Sequence, residues 1–342
     1  MERRRVRGGE QRCCPSLGSE HSGYAALGGD LARVARDGQS RQGFGASTGK
    51  RRGVRLKPNT LELYEMKDVA ASTDTRGITV QRVGVKDVHL PILVRRKSGE
   101  FDGALARIDF GVTLPHQFRG THMSRFVEIL FQWRQKPISS PELKEMLKEA
   151  CGRLGAERAR VDVSFKYFLT KRAPASGSES ALDYDCKFEG VLDKDEYTLT
   201  TCVEVPVTIL CPCSKEIAAR GAHSQRAIIR ARIRSRADTM VWIEDLVEMM
   251  ERQGSAEIYP LLKRQDEKHV TEAAYDNPKF VEDVVRDVVA MLRADERVAW
   301  FQVECESMES IHNHAAYAFQ EESRVSPDSD SSPSHSAQES QS

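Results

Sequence analysis

"YTLTTCVEVPVTILCPCSKEIAARGAHSQRAIIRARIRS", residues 197–235, decides the fold. Both ends of this stretch alternate apolar and polar side chains, the pattern of strands that bury one face. Between them Cys211-Pro212-Cys213 interrupts the first strand, because proline has no N–H to give to a sheet ladder. Two long strands joined by a short excursion predict an antiparallel pair, and the residues at the break point toward solvent or a cleft.

Working outward, the same alternation recurs in "ALARIDFGVTL" (104–114), "RVDVSFKYFL" (160–169), "RVAWFQVECES" (297–307) and "AAYAFQ" (315–320). Helical spacing separates these strands. "GTHMSRFVEILFQW" (120–133) has Thr121 in a capping position and Phe126, Ile129, Leu130 and Trp133 on one face. "SSPELKEMLKEACGRLG" (139–155) has Ser140 as cap, Pro141 at the first helical position and Gly155 at the stop. "VWIEDLVEMMERQG" (241–254) reads as a helix closed by Gly254, and "NPKFVEDVVRDVVAMLR" (277–293) as one capped by Asn277. The order strand, helices, strands, helices, strands predicts an α+β fold on an antiparallel sheet. Strand–helix–helix–strand occurs twice, which leaves an internal duplication open.

The 342 residues carry 51 basic and 51 acidic side chains, and this balance advertises no polyanion partner. Residues 1–57 hold 13 Lys/Arg against 5 Asp/Glu, without apolar periodicity, and 1–65 is expected to be a disordered basic extension. Residues 321–342 are expected to be a disordered, Ser-rich acidic tail, leaving 66–320 as the folded part. No apolar run reaches the length of a membrane span and no secretory leader is evident, so a cytoplasmic protein with neither membrane nor nucleic-acid partner is expected. Eight cysteines are too few for a disulfide scaffold. Cys151, Cys186, Cys202 and Cys305 sit alone in apolar surroundings and are expected to pack as thiols.

The pair around Pro212, with His223 ten residues on, fits neither a zinc-finger spacing nor a C-x-x-C redox pair. A metal site and a structural turn both stay open on spacing alone. A third metal donor could come from "RQDEKHVTE" (264–272), where Glu267 and His269 stand in what reads as a charged loop. A second polar concentration, "ECESMESIHNHAAYAF" (304–319), sets Glu309 three residues before His312 and five before His314, a carboxylate beside imidazoles suited to proton transfer. "THMSR" (121–125) and "KRAPASG" (171–177) offer cations with hydroxyls, which suit phosphate.

Taken in order, "GVKDVHLPI", "GTHMSRFVEIL", "KRAPASG", "LDYD", "VPVTILCPCSKEIAARGAHSQR", "LLKRQDEKHVTEAAYDNPKFVEDVVRDV" and "ESIHNHAAYA" closely resemble the type IB GTP cyclohydrolases. The resemblance runs from about Met66, near which such proteins usually begin, to Phe319. One departure is Ser224, where asparagine is common in that family.

The resemblance implies a tunnelling fold: antiparallel sheets with helices packed on one side, two modules per chain, in homotetramers with interfacial sites. It implies a metal-dependent hydrolase that opens a cyclic amidine, turning GTP and water into 7,8-dihydroneopterin triphosphate and formate at the entry to folate and pterin biosynthesis. It implies one divalent metal per site (Zn, Mn or Fe) on Cys211, His223 and Glu267, whose bound water attacks C8 of the purine. Glu309 would anchor guanine, His312 would be the general acid/base, and Cys211, Cys213 and Glu282 would assist. Phosphate contacts would come from Lys171, Arg172, Arg125, His122 and Lys215. A related cyclohydrolase giving a cyclic phosphate, and a non-catalytic protein stabilised by metal, are the rival readings.

Overall fold

The computed structural model describes residues 68–70 and 72–324; the expected basic extension and most of the acidic tail lie outside them. The chain first lays down β1 (Val80–Arg95) and β2 (Phe101–Leu114), then α1 (Met123–Trp133), the two-residue β3 (Pro137–Ile138) and α2 (Ser140–Leu154), then β4 (Arg158–Arg172) and β5 (Glu179–Asp193). It then repeats the scheme. β6 (Glu196–Leu210), the short α3 (Pro212–Ile217) and β7 (Ser224–Ser235) lead into α4 (Ile243–Glu251), β8 (Ala256–Glu257), α5 (Arg264–Asp276) and α6 (Val281–Ala294), and β9 (Val298–Met308) and β10 (Ala315–Ser323) close it. The two modules share one ten-stranded sheet, ordered β10-β9-β7-β6-β5-β4-β2-β1-β3 with β8 beside β6. The long strands pair antiparallel throughout, and β5 against β6 joins the modules. This is the duplicated α+β arrangement expected of a tunnelling fold.

Alternation explains the layers. Along β4, Ala159, Val161, Val163, Phe165 and Tyr167 are buried, and along β7 Ala227, Ile229, Ala231 and Ile233. The helices cover that face; Val284, Val285, Val288 and Leu292 of α6 join the same apolar core as Phe301 and Val303 of β9. Each such aliphatic or aromatic side chain removed from water contributes about 2 kcal/mol. The intervening residues form a charged lattice on the other face. Arg232 meets Glu189 at 2.7 Å, and Arg230 reaches Glu306 at 2.6 Å and Glu304 at 2.9 Å. Cys186 and Cys305 are buried as free thiols, as expected, while Cys151 and Cys202 are half-buried.

Six local expectations shift. The N-cap of α1 is His122 rather than Thr121, and that of α2 is Ser139, one residue before Ser140. Gly155 does end α2, in the left-handed conformation (φ 62°) that glycine adopts without strain. Gly254 lies beyond the C-cap of α4, Arg252; a Cβ there would come within 2.7 Å of the Val207 Cβ, so glycine lets the chain pass close to β6. Asn277 caps the end of α5 instead of the start of α6, and its amide donates to the Gly254 carbonyl at 3.1 Å. Residues 264–272 are helical, correcting the charged loop, and β10 runs to Ser323, past the expected boundary at 320. No helix among the described residues is long and apolar enough to cross a membrane.

Candidate active site

Antiparallel pairing gathers the polar segments at one end of the sheet. Leu210 pairs with Ser224 and Ala227 with Ser307, so β6 ends where β7 begins and where β9 ends. Met308 pairs with Ala315, which puts the 309–314 loop there too. Lys171 pairs with Ser180, and this hairpin end of β4 and β5 turns at the same edge as Leu210.

At the break after β6, the Cys211 N–H donates to the His223 carbonyl at 3.1 Å, so the two residues are neighbours across the pair. Cys211 is the N-cap of α3; its Sγ accepts from the Ser214 N–H at 3.4 Å. The Ser214 hydroxyl in turn accepts from the His223 N–H at 3.1 Å, tying both ends of the excursion. His223 Nδ1 lies 2.9 Å from Gln225 Oε1. The amide orientation is set on its other side, where Gln225 Nε2 donates to Glu309 Oε1 at 3.2 Å. Gln225 Oε1 therefore faces the imidazole as an acceptor, Nδ1 carries the proton, and the Nε2 lone pair is left for a cation or an acid. Glu309 is mostly buried and also accepts from the Ser307 hydroxyl at 3.0 Å.

Cys211 and His223 thus bring a sulfur and an imidazole nitrogen to neighbouring backbone positions, donors that suit zinc or iron. Glu267 is exposed on the first turn of α5, and it does not join them: among the described residues no group of three or more His, Cys, Asp or Glu side chains is placed to hold an ion. The first turn of α5 is bound instead to the β4–β5 turn, where the neighbouring Asp266 accepts from the Ala175 and Ser176 N–H groups at 2.8 and 2.7 Å. Beside the Cys211–His223 pair, α5 walls a cavity of about 640 Å³ whose other side is Thr208, Leu210, Ala222 and Ser224.

The remaining candidates divide. Cys213 is exposed on α3, and Lys215 donates to the Tyr275 carbonyl on α5 with its ammonium over the Tyr275 ring. His312 and His314 are exposed and stack on each other, ring centres 5.1 Å apart. His269 is exposed on α5. Glu282 is exposed in the first turn of α6, just beyond Lys279, whose N–H donates to the Leu210 carbonyl at 3.0 Å. Arg172 is exposed and paired with Glu179 at 2.7 Å.

Two expected phosphate contacts fall outside this cluster. Lys171 is buried, its ammonium 2.6 Å from Glu251 and 2.5 Å from Glu257, so within this chain it meets carboxylates rather than phosphate. Arg125 donates to the Arg153 carbonyl at 3.0 Å, at the end of α2 that leads into β4. That is the opposite end of the sheet from Cys211, and His122, hydrogen-bonded to Asp68 at 3.0 Å, precedes Arg125 there. Sequence reasoning missed Gln225, Ser307 and Asp266. For Gln225 a signal existed: it stands two residues after His223 at the start of a strand, which puts both side chains on one face.

A profile of the type I GTP cyclohydrolase folE2 family matches residues 66–318. The chain is 51% identical over 254 residues to a GTP cyclohydrolase FolE2 of Magnetococcus marinus, covering 74% of this chain and 95% of that one. It is 51% identical over 253 residues to a GTP cyclohydrolase FolE2 of Geotalea uraniireducens, covering 74% and 92%. Among solved structures, Arthrobacter globiformis uricase aligns with a TM-score of 0.43 at 9% identity, covering 71% of this chain and 93% of that one. The chain belongs to the type I GTP cyclohydrolase folE2 family.

Proposed function

We propose that this chain is a GTP cyclohydrolase of folate biosynthesis, converting GTP and water to 7,8-dihydroneopterin triphosphate and formate at the Cys211–His223–Glu309 end of its sheet. The observation that carries the reading is that Cys211 neighbours His223 across the strand pair while Gln225 links His223 to Glu309, in a chain of this family.

Glu309 anchors guanine. The purine edge presents N1–H and a 2-amino group, two parallel donors that a carboxylate accepts as a pair. Gln225 and Ser307 occupy Oε1 and orient the group. His312, exposed three residues on, moves protons as water adds at C8, the imidazole ring opens and the ribose later rearranges. Cys213 and Glu282 lie at the same end of the sheet and assist. A divalent cation (Zn, Mn or Fe) would be held by Cys211 and His223, and Glu267 would have to move in from the first turn of α5 to complete the set. Bound there, it would lower the pKa of a water molecule enough to make a nucleophile at neutral pH.

Arg172 and Lys215 reach the triphosphate from this end. Arg125 and His122 sit at the far end of the sheet, so their part is played toward a neighbouring subunit's substrate, in a homotetramer with interfacial sites. Exposed apolar side chains at both sides of the sheet, Leu105 and Phe168 in the first module and Tyr317 and Phe319 on β10, support such association. The test is product analysis after incubation of the purified protein with GTP. Stoichiometric formate and 7,8-dihydroneopterin triphosphate support the reading. A cyclic phosphate product, or no turnover with any of the three metals, overturns it.

A further inference from the structure

We propose that Asp266 is a positioning residue for the GTP cleft, clasping α5 to the β4–β5 turn so that α5 walls the cavity beside the strand ends that carry Cys211 and His223. Its carboxylate has no solvent exposure, although the helix around it is charged and mostly exposed. Four donors converge on it. Oδ1 accepts from the Ala175 and Ser176 N–H groups at 2.8 and 2.7 Å, and Oδ2 from the Ser176 hydroxyl at 2.7 Å and the Lys263 N–H at 2.8 Å. The first three come from a turn about ninety residues earlier in the chain, and the fourth starts α5 itself. One side chain therefore sets the helix start and its docking point together.

The turn is held from beneath as well. Lys171, at the end of β4, is fixed between Glu251 and Glu257, and Tyr184 donates to Glu251 at 2.8 Å. The turn is thus a rigid base, and α5 is the element aligned to it. Two parts of the candidate site ride on this joint: Arg172 at the edge of the turn and Glu267, the residue after Asp266. Further along α5, Val270, Thr271 and Tyr275 line the cavity beside the Cys211–His223 pair. A helix that tilts at its start displaces that wall, and displacements near 1 Å cost up to about a hundredfold in rate when reacting groups must be aligned.

The inference rests on the reading that this cleft takes GTP, and the test separates the two. Asp266→Asn in the full chain keeps one oxygen for the two turn amides but sets an NH2 against the Lys263 N–H. Two quantities are read: hydrogen exchange of the 175–176 and α5 amides, and kcat and KM for GTP. Exchange is expected to speed up at least tenfold there and not in β9, and kcat/KM to fall at least tenfold with the thermal midpoint still above the assay temperature. Ser176→Ala, which removes one of the four bonds and leaves the backbone alone, is expected to give the same pattern at two- to fivefold. Faster exchange with unchanged kcat and KM makes Asp266 a structural residue only and overturns the proposal, as does unchanged exchange. If wild-type protein turns over no GTP while exchange responds as described, the GTP reading fails and the joint stands without the proposed role. Should Asp266→Asn not fold, unchanged kinetics in Ser176→Ala overturn the proposal.

Discussion

His223 and Glu309 stand 3.9 Å apart, Nδ1 to Oε2, and Gln225 is bonded to both. One amide thereby sets the imidazole tautomer and orients the carboxylate. Gln225→Ala removes both effects without touching the core. Groups that orient a metal-binding or catalytic histidine are worth roughly 10–100-fold when lost. Steady-state kinetics should therefore show kcat/KM for GTP reduced by about that factor, with near-native circular dichroism. Unchanged kinetics would separate His223 from Glu309.

Lys171 answers to stability rather than to substrate. Burial raises the pKa of Glu251, and the hydrogen bonds from Lys171 and Tyr184 oppose this. Removing one partner of a buried ion pair costs roughly 3–5 kcal/mol, because the other charge is stranded. Lys171→Met should lower the stability measured by urea unfolding by about that amount, and Lys171→Met/Glu251→Leu should regain most of it. A variant of normal stability with a raised KM for GTP would restore the phosphate role.

A pH dependence follows from Asp245, which lies between Lys97 and Arg297 at 2.5 and 2.8 Å. Burial pushes its pKa up, but the hydrogen bonds from Lys97 and Arg297 outweigh burial and hold it below the usual aspartate range. The unfolded chain then binds the proton more tightly than the folded one. The stabilisation is complete above the ordinary aspartate value of about 4 and fades as pH falls through the depressed folded value. Thermal midpoints of wild type and Asp245→Asn should therefore converge on acidification below about pH 4. A gap that stays constant or widens would assign the stability to something other than this carboxylate.

How far the sequence could be read depended on whether a segment's neighbours are local. β4, β6, β7, β9 and β10 were legible because alternation reports burial directly, and α6 because Val281, Val284, Val285, Val288 and Leu292 make a continuous stripe. α5 was not legible: only Asp266 and Ala274 are buried along it, so no apolar period marks it as a helix. β1 was missed for a related reason, since its register shifts between Val80 and Val83 and between Val85 and Val88 break the alternation. Asn277-Pro278 signals a helix start in isolation, yet Asn277 closes the preceding helix because its amide finds the Gly254 and Ser255 carbonyls. At the site, Cys211 and His223 were legible through the strand break. Lys171 misled because its partners, Glu251 and Glu257, lie 80 and 86 residues away. The family resemblance supplied the role of Glu309; its link to His223 through Gln225 needed the folded sheet.

The basic N-terminal segment can be tested by removal. The family match begins at residue 66, and two relatives align over 92–95% of their own lengths with only 74% of this chain. A chain starting at Met66 should keep kcat and KM for GTP within about twofold of the full chain, a change of roughly 0.4 kcal/mol. A large loss would give the segment a catalytic or assembly role.

The most direct test of the central claim is formate release from GTP by metal-depleted protein re-supplied with zinc, manganese or iron, for wild type beside Cys211→Ala. Wild type should be silent when depleted and recover with at least one of the metals, while Cys211→Ala stays folded and silent with all three. Near-normal formate release by Cys211→Ala would contradict the account.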